Sequence, residues 1–255
     1  MVLDWFAFPV NILAAVLWAV VVVLLWNRRR SSGIAKFFLS PLATILSISL
    51  FASGCLVLGI LCDRSLVTSW WFVAELFFLM TVLAFVLLRG LRTPSGKIRY
   101  GFIFNHLGLL IVLVSLFFGA PDTDILRMSL HKGEVAEMAW REDGSPEVLG
   151  YRIGLESFST EYFENGVPAV YEAVLDMDGK QVSLKVNSPV KAGFGEQIYL
   201  VSAGADDSGC VLQIVRQPWK YMTVIGIVLM LAGAAILFIR GPRRRRSAAQ
   251  PSNIQ

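Results

Sequence analysis

Residues 102–119 read FIFNHLGLLIVLVSLFFG, and this stretch decides the fold class of the chain. It contains no charged residue, and its length is close to the roughly 20 helical residues that cross a hydrocarbon core of about 30 Å. The residues that follow it, 120–220, are polar instead. The stretch therefore marks the place where the chain leaves a membrane and enters a separate domain.

Four further segments are equally long and apolar. Together with the first they give five predicted transmembrane helices: Phe8–Trp26, Leu39–Cys62, Trp70–Leu88, Phe102–Gly119 and Tyr221–Ile239. The composition agrees, since 55% of the residues are hydrophobic and only 16% are charged, whereas soluble domains carry about 25% charged residues. The first segment lacks the basic start and the small-residue cleavage site of a secretory signal, so we expect it to be a span of the mature protein.

The basic residues identify one side of the membrane. They occupy the loops at Arg28–Lys36 and Arg89–Arg99 and the end of the chain after Arg240, and none of these three regions contains Asp or Glu. Lys and Arg accumulate in cytoplasmic loops. We therefore expect a multi-pass membrane protein with the N-terminus and residues 120–220 extracytoplasmic and the C-terminus cytoplasmic.

The polar domain is acidic and has the alternation of β-strands. Residues 121–220 hold nine Lys or Arg and sixteen Asp or Glu, a net charge of −7. A nucleic-acid-binding domain would be basic, so that class is excluded. Apolar and polar residues alternate on both sides of Asp178-Gly179, which predicts a hairpin with a two-residue type I′ turn. Further signals are a turn at Glu164-Asn165-Gly166 and strands at Gln197–Val201 and Val211–Val215.

These patterns predict a polytopic α-helical membrane protein with one exported all-β domain between the fourth and fifth helices. The sheet is expected to form a small sandwich or a barrel-like structure. The predicted domains are a four-helix membrane region at 1–119, an extracytoplasmic β domain at 120–220, a fifth transmembrane helix at 221–240 and a basic cytoplasmic tail at 241–255.

His106 is the polar residue that most needs an explanation. It lies about four residues inside the fourth span, or about 6 Å from the boundary at 1.5 Å per residue. A polar ring inside a membrane helix requires a partner, a cavity or a ligand, which makes a functional role the first hypothesis. An equally open alternative is a helix-end histidine that hydrogen-bonds a neighbouring span. The other histidine, His131, is expected at the surface or at a strand edge of the β domain.

Other reactive side chains are scarce. Glu75 is the only acid inside a span, about 7 Å from the outer end of the third helix. It lies too far in depth to pair with His106, and it either extends outward or contacts a partner subunit. Cys55 and Cys62 are interpreted as small packing residues and Cys210 as unpaired, and no Cys-x-x-Cys pair exists for redox chemistry. We find no catalytic constellation in the sequence.

The chain resembles the ResB/CcsB family, the membrane component of System II cytochrome c biogenesis. The resemblance rests on segments in a fixed order: His106–Leu110, Glu161–Pro168, Asp178–Lys180, Val186–Val190, Gly193–Tyr199 and Arg216–Tyr221. It implies a location in the bacterial cytoplasmic (inner) membrane and a partner, a CcsA-like membrane protein, with which the chain moves haem b outward as a transported substrate. The haem is then attached through thioethers to the Cys-x-x-Cys-His motif of apocytochrome c.

The resemblance also assigns residues. The transmembrane haem-ligand histidine of the family maps onto His106, which would be an axial ligand of the haem iron. Lys97 and Arg99 could contact the haem propionates, or they could be ordinary basic loop residues. The Trp-rich segment and external histidine pair of the machinery belong to CcsA, so this chain would be a subunit of a cytochrome c haem lyase. Many relatives have three spans before the exported domain, whereas this sequence has four.

Two other functions remain open at this stage. One is a non-catalytic assembly scaffold, in which the β domain docks an exported partner and His106 is structural. The other is a thiol-reducing factor for the cysteines of apocytochrome c, against which the missing Cys-x-x-Cys argues.

Overall fold

A computed structural model describes residues 4–29, 31–62, 64–93, 95–162, 168–203 and 209–240. Within these residues, five helices are long and apolar enough to cross a membrane, which confirms the predicted number of spans. In chain order they are α1 (Val10–Asn27), α3 (Pro41–Leu61), α4 (Trp70–Gly90), α5 (Tyr100–Gly119) and α6 (Lys220–Arg240). A short helix that the sequence did not predict, α2 (Gly33–Phe38), lies between the first two.

Local signals set the ends of these helices. Before α3, the Ser40 hydroxyl accepts a hydrogen bond from the Ala43 N–H at 3.1 Å, and Pro41 occupies the first helical position. Such residues satisfy or remove the N–H groups that a helix start leaves without partners. At the other end of α3, Cys62 takes the left-handed conformation (φ 51°) that ends a helix.

The chain divides into two compact units. The helix unit contains Leu17–Val114 and Met222–Gln255, and the sheet unit contains Met1–Val16 and Ser115–Tyr221. In the helix unit, a buried cluster of Val22, Ala35, Ala84 and Phe85 joins α1, α2 and α4. Phe38 of α2 stacks on Phe85 with ring centroids 5.4 Å apart, so the short helix contributes to this core.

Glycines allow α5 and α6 to touch backbone to backbone. A Cβ atom added to Gly108 would lie 2.5 Å from the Gly226 carbonyl oxygen, and one added to Gly226 would lie 2.7 Å from the Gly108 carbonyl oxygen. Close approach through small residues is a common way in which membrane helices pack. The contact fixes which face of α5 points toward α6.

Eight antiparallel strands follow α5 and precede α6. They are β1 (Asp124–His131), β2 (Val135–Arg141), β3 (Pro146–Tyr162), β4 (Pro168–Met177), β5 (Lys180–Lys185), β6 (Val190–Gly193), β7 (Glu196–Ala203) and β8 (Gly209–Arg216). Their order in the sheet is β5-β4-β3-β2-β1-β8-β7-β6. The predicted hairpin is confirmed: Met177 pairs with Lys180, and Asp178 and Gly179 have φ of 49° and 86°. The turn predicted at Glu164-Asn165-Gly166 lies outside the described residues.

The sheet curls around a single core. Besides their neighbours in the sheet, β4 and β5 contact β7 across the domain. Alternate residues of the strands point inward, and the fully buried ones include Leu126, Ile153, Leu175, Leu184, Ile198, Leu212 and Ile214. Burial of one face of each strand explains the period of two seen in the sequence. The arrangement agrees with the barrel-like form that we expected.

Candidate functional site

His106 is half-buried on α5, one turn after Phe102. Its Nδ1 lies 2.9 Å from the carbonyl oxygen of Phe102. Its ring stacks on the Phe102 ring, with centroids 3.9 Å apart and planes inclined by 27°. The imidazole is therefore held in one orientation by two contacts to the same residue of its own helix.

The hydrogen bond defines the tautomer of His106. A carbonyl oxygen only accepts hydrogen bonds, so Nδ1 must carry the proton in this contact. The lone pair of the neutral ring then lies on Nε2, and among the described residues Nε2 has no hydrogen-bond partner. Metal-ligating histidines are usually prepared in this way, with the other ring nitrogen donating to a carbonyl or carboxylate. Phe102 was not predicted as a site residue, although its spacing of four residues from His106 places both on one helix face.

The position of His106 on α5 places it away from the contact with α6. Phe102, His106 and Leu110 are spaced by four residues and share one face of the helix. Phe102 packs against Gly90 of α4, and Leu110 packs against the buried cluster of the helix unit. In the described part of the chain, no hydrogen bond joins His106 to another helix. The alternative in which His106 bonds a neighbouring span therefore finds no support in the geometry.

The two basic residues singled out before α5 have different environments. The Arg99 guanidinium lies over the Phe102 ring, 4.4 Å from its centroid. Phe102 thus contacts both the Arg99 guanidinium and the His106 imidazole. Stacking uses the face of a guanidinium and leaves its N–H edges free for a carboxylate. Lys97 is exposed in a tight turn, where its backbone N–H donates to the Thr93 hydroxyl at 3.1 Å.

Glu75 turns toward α3. Its Oε2 atom is buried and has no hydrogen-bond partner among the described residues. The same oxygen lies where a Cβ atom would project from Gly54, so the carboxyl group occupies the space that this glycine leaves. The buried Oε2 does not fit the alternative in which the side chain extends outward.

The cysteines do not form a redox pair. Cys55 and Cys62 are exposed on the surface of the chain, so their interpretation as packing residues is wrong within this chain. Cys210 is 1% exposed in the core of the sheet. Burial raises the pKa of its thiol to about 11, which leaves almost no reactive thiolate at neutral pH.

The sheet unit contains a cavity of about 870 Å³ next to Asp122. Asp124, Glu142, Asp143 and two arginines also line it. The arginines belong to a network of ion pairs: Arg141 binds Asp124 at 3.1 Å and Glu147 at 2.9 Å, and Arg216 binds Glu147 at 3.1 Å and Glu196 at 2.9 Å. Within the lining the acids outnumber the arginines, so the cavity favours cations over anions.

His131 lies at the exposed end of β1, as expected. Its Nδ1 lies 3.2 Å from a carboxylate oxygen of Glu134, which also accepts a hydrogen bond from the His131 backbone N–H at 2.8 Å. These hydrogen bonds lower the pKa of the Glu134 carboxyl group. No group of three or more His, Cys, Asp or Glu that could hold a metal ion occurs among the described residues.

Comparison with known proteins gives a family-model match over part of the chain and similar solved structures. Residues 97–211 match the model of the ResB-like family, and no curated protein matches the chain. A solved structure titled "Cytochrome c Heme Lyase CcmF" is 14% identical, with a TM-score of 0.42; the alignment covers 90% of this chain and 45% of that one. A similarity of that size does not establish a shared fold. The family match starts at Lys97 and includes Arg99 and His106, and it confirms the resemblance: the chain carries a ResB-like region at residues 97–211.

Proposed function

We propose that this membrane protein acts in cytochrome c biogenesis as the subunit that receives haem through His106. The observation that carries the proposal is the Nδ1 hydrogen bond to the Phe102 carbonyl, because it leaves the Nε2 lone pair available. Haem iron takes a neutral imidazole nitrogen as an axial ligand. Haem b is in this case a transported substrate, and the second axial ligand would come from a CcsA-like partner.

The residues around His106 suit the rest of a haem molecule. Phe102 orients the imidazole by stacking, and the Arg99 guanidinium lies within 4.4 Å of the same ring. The propionates of haem are carboxylates, which the N–H edges of Arg99 could bind in a bidentate way. Lys97 is exposed in the preceding turn and could supply a second charge. Support for these assignments comes from their joint position in the ResB-like region.

The proposed direction of transport follows from the basic loops. If their side is cytoplasmic, His106 lies near the inner leaflet, where haem made in the cell would enter. Residues 120–220 then face outward, between the four-helix region at 1–119 and the span at 221–240. A bacterial inner membrane and an apocytochrome c acceptor are part of the same proposal. Thioether formation is assigned to a complex with the CcsA-like partner rather than to this chain.

The acidic β domain would attract a basic segment of that acceptor or partner. The net charge of −7 over residues 121–220 and the acid-rich cavity beside Asp122 support this role. Attraction between exposed charges weakens with ionic strength, because the screening length falls to about 8 Å at physiological salt. We therefore expect association with the acceptor to weaken as salt is added.

Substitution of the two histidines tests the proposal. His106→Ala removes the only imidazole in the described membrane helices. It should sharply lower the haem that copurifies with the chain and its partner, measured by absorption spectroscopy, together with cytochrome c maturation. His131→Ala is the matched control and should leave both unchanged. Added imidazole, which is small enough to enter the vacated space, should partly restore haem binding in the His106 variant.

Two results would contradict the proposal. Normal haem content in a stable His106→Ala complex would exclude the ligand role. Loss of the whole complex in that variant, with no effect of imidazole, would favour the scaffold function. The topology is tested separately with alkaline phosphatase fusions, which should be active at residue 170 and inactive at residue 95. The reverse pattern would exclude entry of haem from the cytoplasm.

A further inference from the structure

The tip of the β6–β7 hairpin carries an exposed aromatic side chain. Phe194 lies between Gly193 and Gly195, and 80% of its surface is exposed. It is the most exposed large apolar residue of the described β domain. Burying a phenylalanine side chain is favourable by about 1.5–3 kcal/mol relative to leaving it exposed to water. Burial of this ring in an apolar environment outside the sheet would therefore be favourable.

The tip is fixed against the residues that lead into α6. The Gln217 N–H donates a hydrogen bond to the Gly195 carbonyl oxygen at 2.8 Å. A Cβ atom added to Gly195, whose φ is +74°, would lie 2.7 Å from the Cα atom of Pro218. Only glycine fits this position, because of both the positive φ and the close approach. The hairpin tip is consequently held next to the start of a transmembrane helix.

Phe194 itself contacts that helix. Its ring centroid lies 5.1 Å from that of Tyr221, the second residue of α6. Both rings therefore lie where the chain passes from the polar domain into an apolar span. Aromatic residues are enriched at this level of membrane proteins.

Other residues of the sheet unit mark the same boundary. The Trp219 indole N–H donates to an Asp122 carboxylate oxygen at 2.6 Å, and the Phe8 backbone N–H donates to the other oxygen at 2.8 Å. Trp5 and Phe8, just before α1, are 71% and 70% exposed. The Lys220 ammonium lies 5.4 Å from the centre of the Tyr221 ring. Aromatic rings with a nearby cation are typical of the headgroup region of a bilayer.

We propose that the β6–β7 tip is a membrane anchor, with Phe194 inserted into the interfacial layer of the bilayer beside the start of α6. The partner of this surface is the lipid itself: the ring enters the boundary between headgroups and acyl chains, and Lys191 and Lys220 lie near lipid phosphates. The strand β7 leads away from the start of α6, because Glu196 pairs with Arg216 and Ala203 pairs with Cys210. The anchor is independent of haem binding at His106.

Spin labels at two positions test this inference in the full chain. The background is Cys55→Ala with Cys62→Ala; Cys210 stays, because it is 1% exposed. A nitroxide label is attached at Phe194→Cys or at Val201→Cys, and each protein is placed in lipid nanodiscs. Val201 is a matched control, since it is 48% exposed on β7, the strand that follows the tip. It lies about 16 Å beyond Glu196 at roughly 3.3 Å per residue.

Accessibility to two relaxing agents reports the depth of each label. Oxygen concentrates in the bilayer, whereas a neutral nickel chelate stays in water. We expect the ratio of oxygen to nickel collisions to be several-fold higher at 194 than at 201. Equal ratios at the two sites would overturn the proposal, because Phe194 would then face water. Low collision rates with both agents at 194 would also overturn it, since they would show that protein, such as a second copy of the chain, covers the tip.

Discussion

Asp122 joins three segments of the sheet unit at the membrane boundary, and its replacement by alanine is the structural prediction we develop first. One carboxylate oxygen accepts from the Phe8 backbone N–H at 2.8 Å. The other accepts from the Asn11 amide at 2.7 Å and from the Trp219 indole at 2.6 Å. Asn11 is fully buried and also donates to the Phe118 carbonyl oxygen at 2.8 Å.

The expected loss of stability follows from the donors that lose their acceptor. The Phe8 N–H is at an exposed position, where water can replace the carboxylate. The Asn11 amide is buried and the Trp219 indole is partly buried. A buried donor without its partner costs about 1–3 kcal/mol, and hydrogen bonds between membrane helices fall at the lower end of that range. For Asp122→Ala we therefore expect a loss of about 2–4 kcal/mol.

Thermal unfolding in nanodiscs, followed by tryptophan fluorescence, measures this loss. Asp122→Asn keeps one oxygen and should fall between the alanine variant and the unchanged protein. Asp143→Ala is the control, because among the described residues the Asp143 carboxylate accepts hydrogen bonds only from Ser145 in the same turn. Exposed substitutions of this kind usually change stability by less than about 0.5 kcal/mol. If Asp122→Ala were as harmless as Asp143→Ala, the boundary hydrogen bonds would have no structural role.

Three further predictions concern other parts of the molecule. Burial favours a higher pKa for Glu147, but hydrogen bonds and charge from Arg216 and Arg141 lower the pKa overall. The stabilisation from this carboxylate is therefore present above the ordinary pKa of 4.5 and is lost as the pH falls through the lower pKa of the folded state. Glu147→Gln should consequently make the free energy of unfolding less dependent on pH in the acid range. Gly108→Leu should destabilise the protein by more than about 1–3 kcal/mol, because backbone atoms of α6 cannot yield, whereas Gly59→Leu, whose Cβ would meet nothing within 4 Å, should not. At pH 8, Cys210 should react with maleimide only after unfolding, because its pKa is about 11; equal labelling of the folded protein would contradict the buried position.

The sequence by itself determined the five membrane helices and the nature of the domain between the last two. Apolar runs of the required length have no other stable environment than a bilayer. Strict alternation around Asp178-Gly179 specified a hairpin, because only one face of each strand is buried. The single histidine in the apolar segments, His106, could be selected for the same reason: an isolated polar ring in a membrane helix is conspicuous.

Tertiary structure alone decided which residues meet. Helical periodicity showed that Phe102 and His106 share a face, but the tautomer of the imidazole depends on a particular rotamer and its 2.9 Å contact with the Phe102 carbonyl. The sequence also could not bring Asn11 to Asp122, since 111 residues separate them and neither belongs to a recognisable motif. The same holds for the Phe194 tip, whose position beside Tyr221 results from the sheet order. The pattern of apolar and polar residues in the sequence reflects the local environment of each residue. Contacts between residues that are distant in the chain depend instead on how the helices and strands pack.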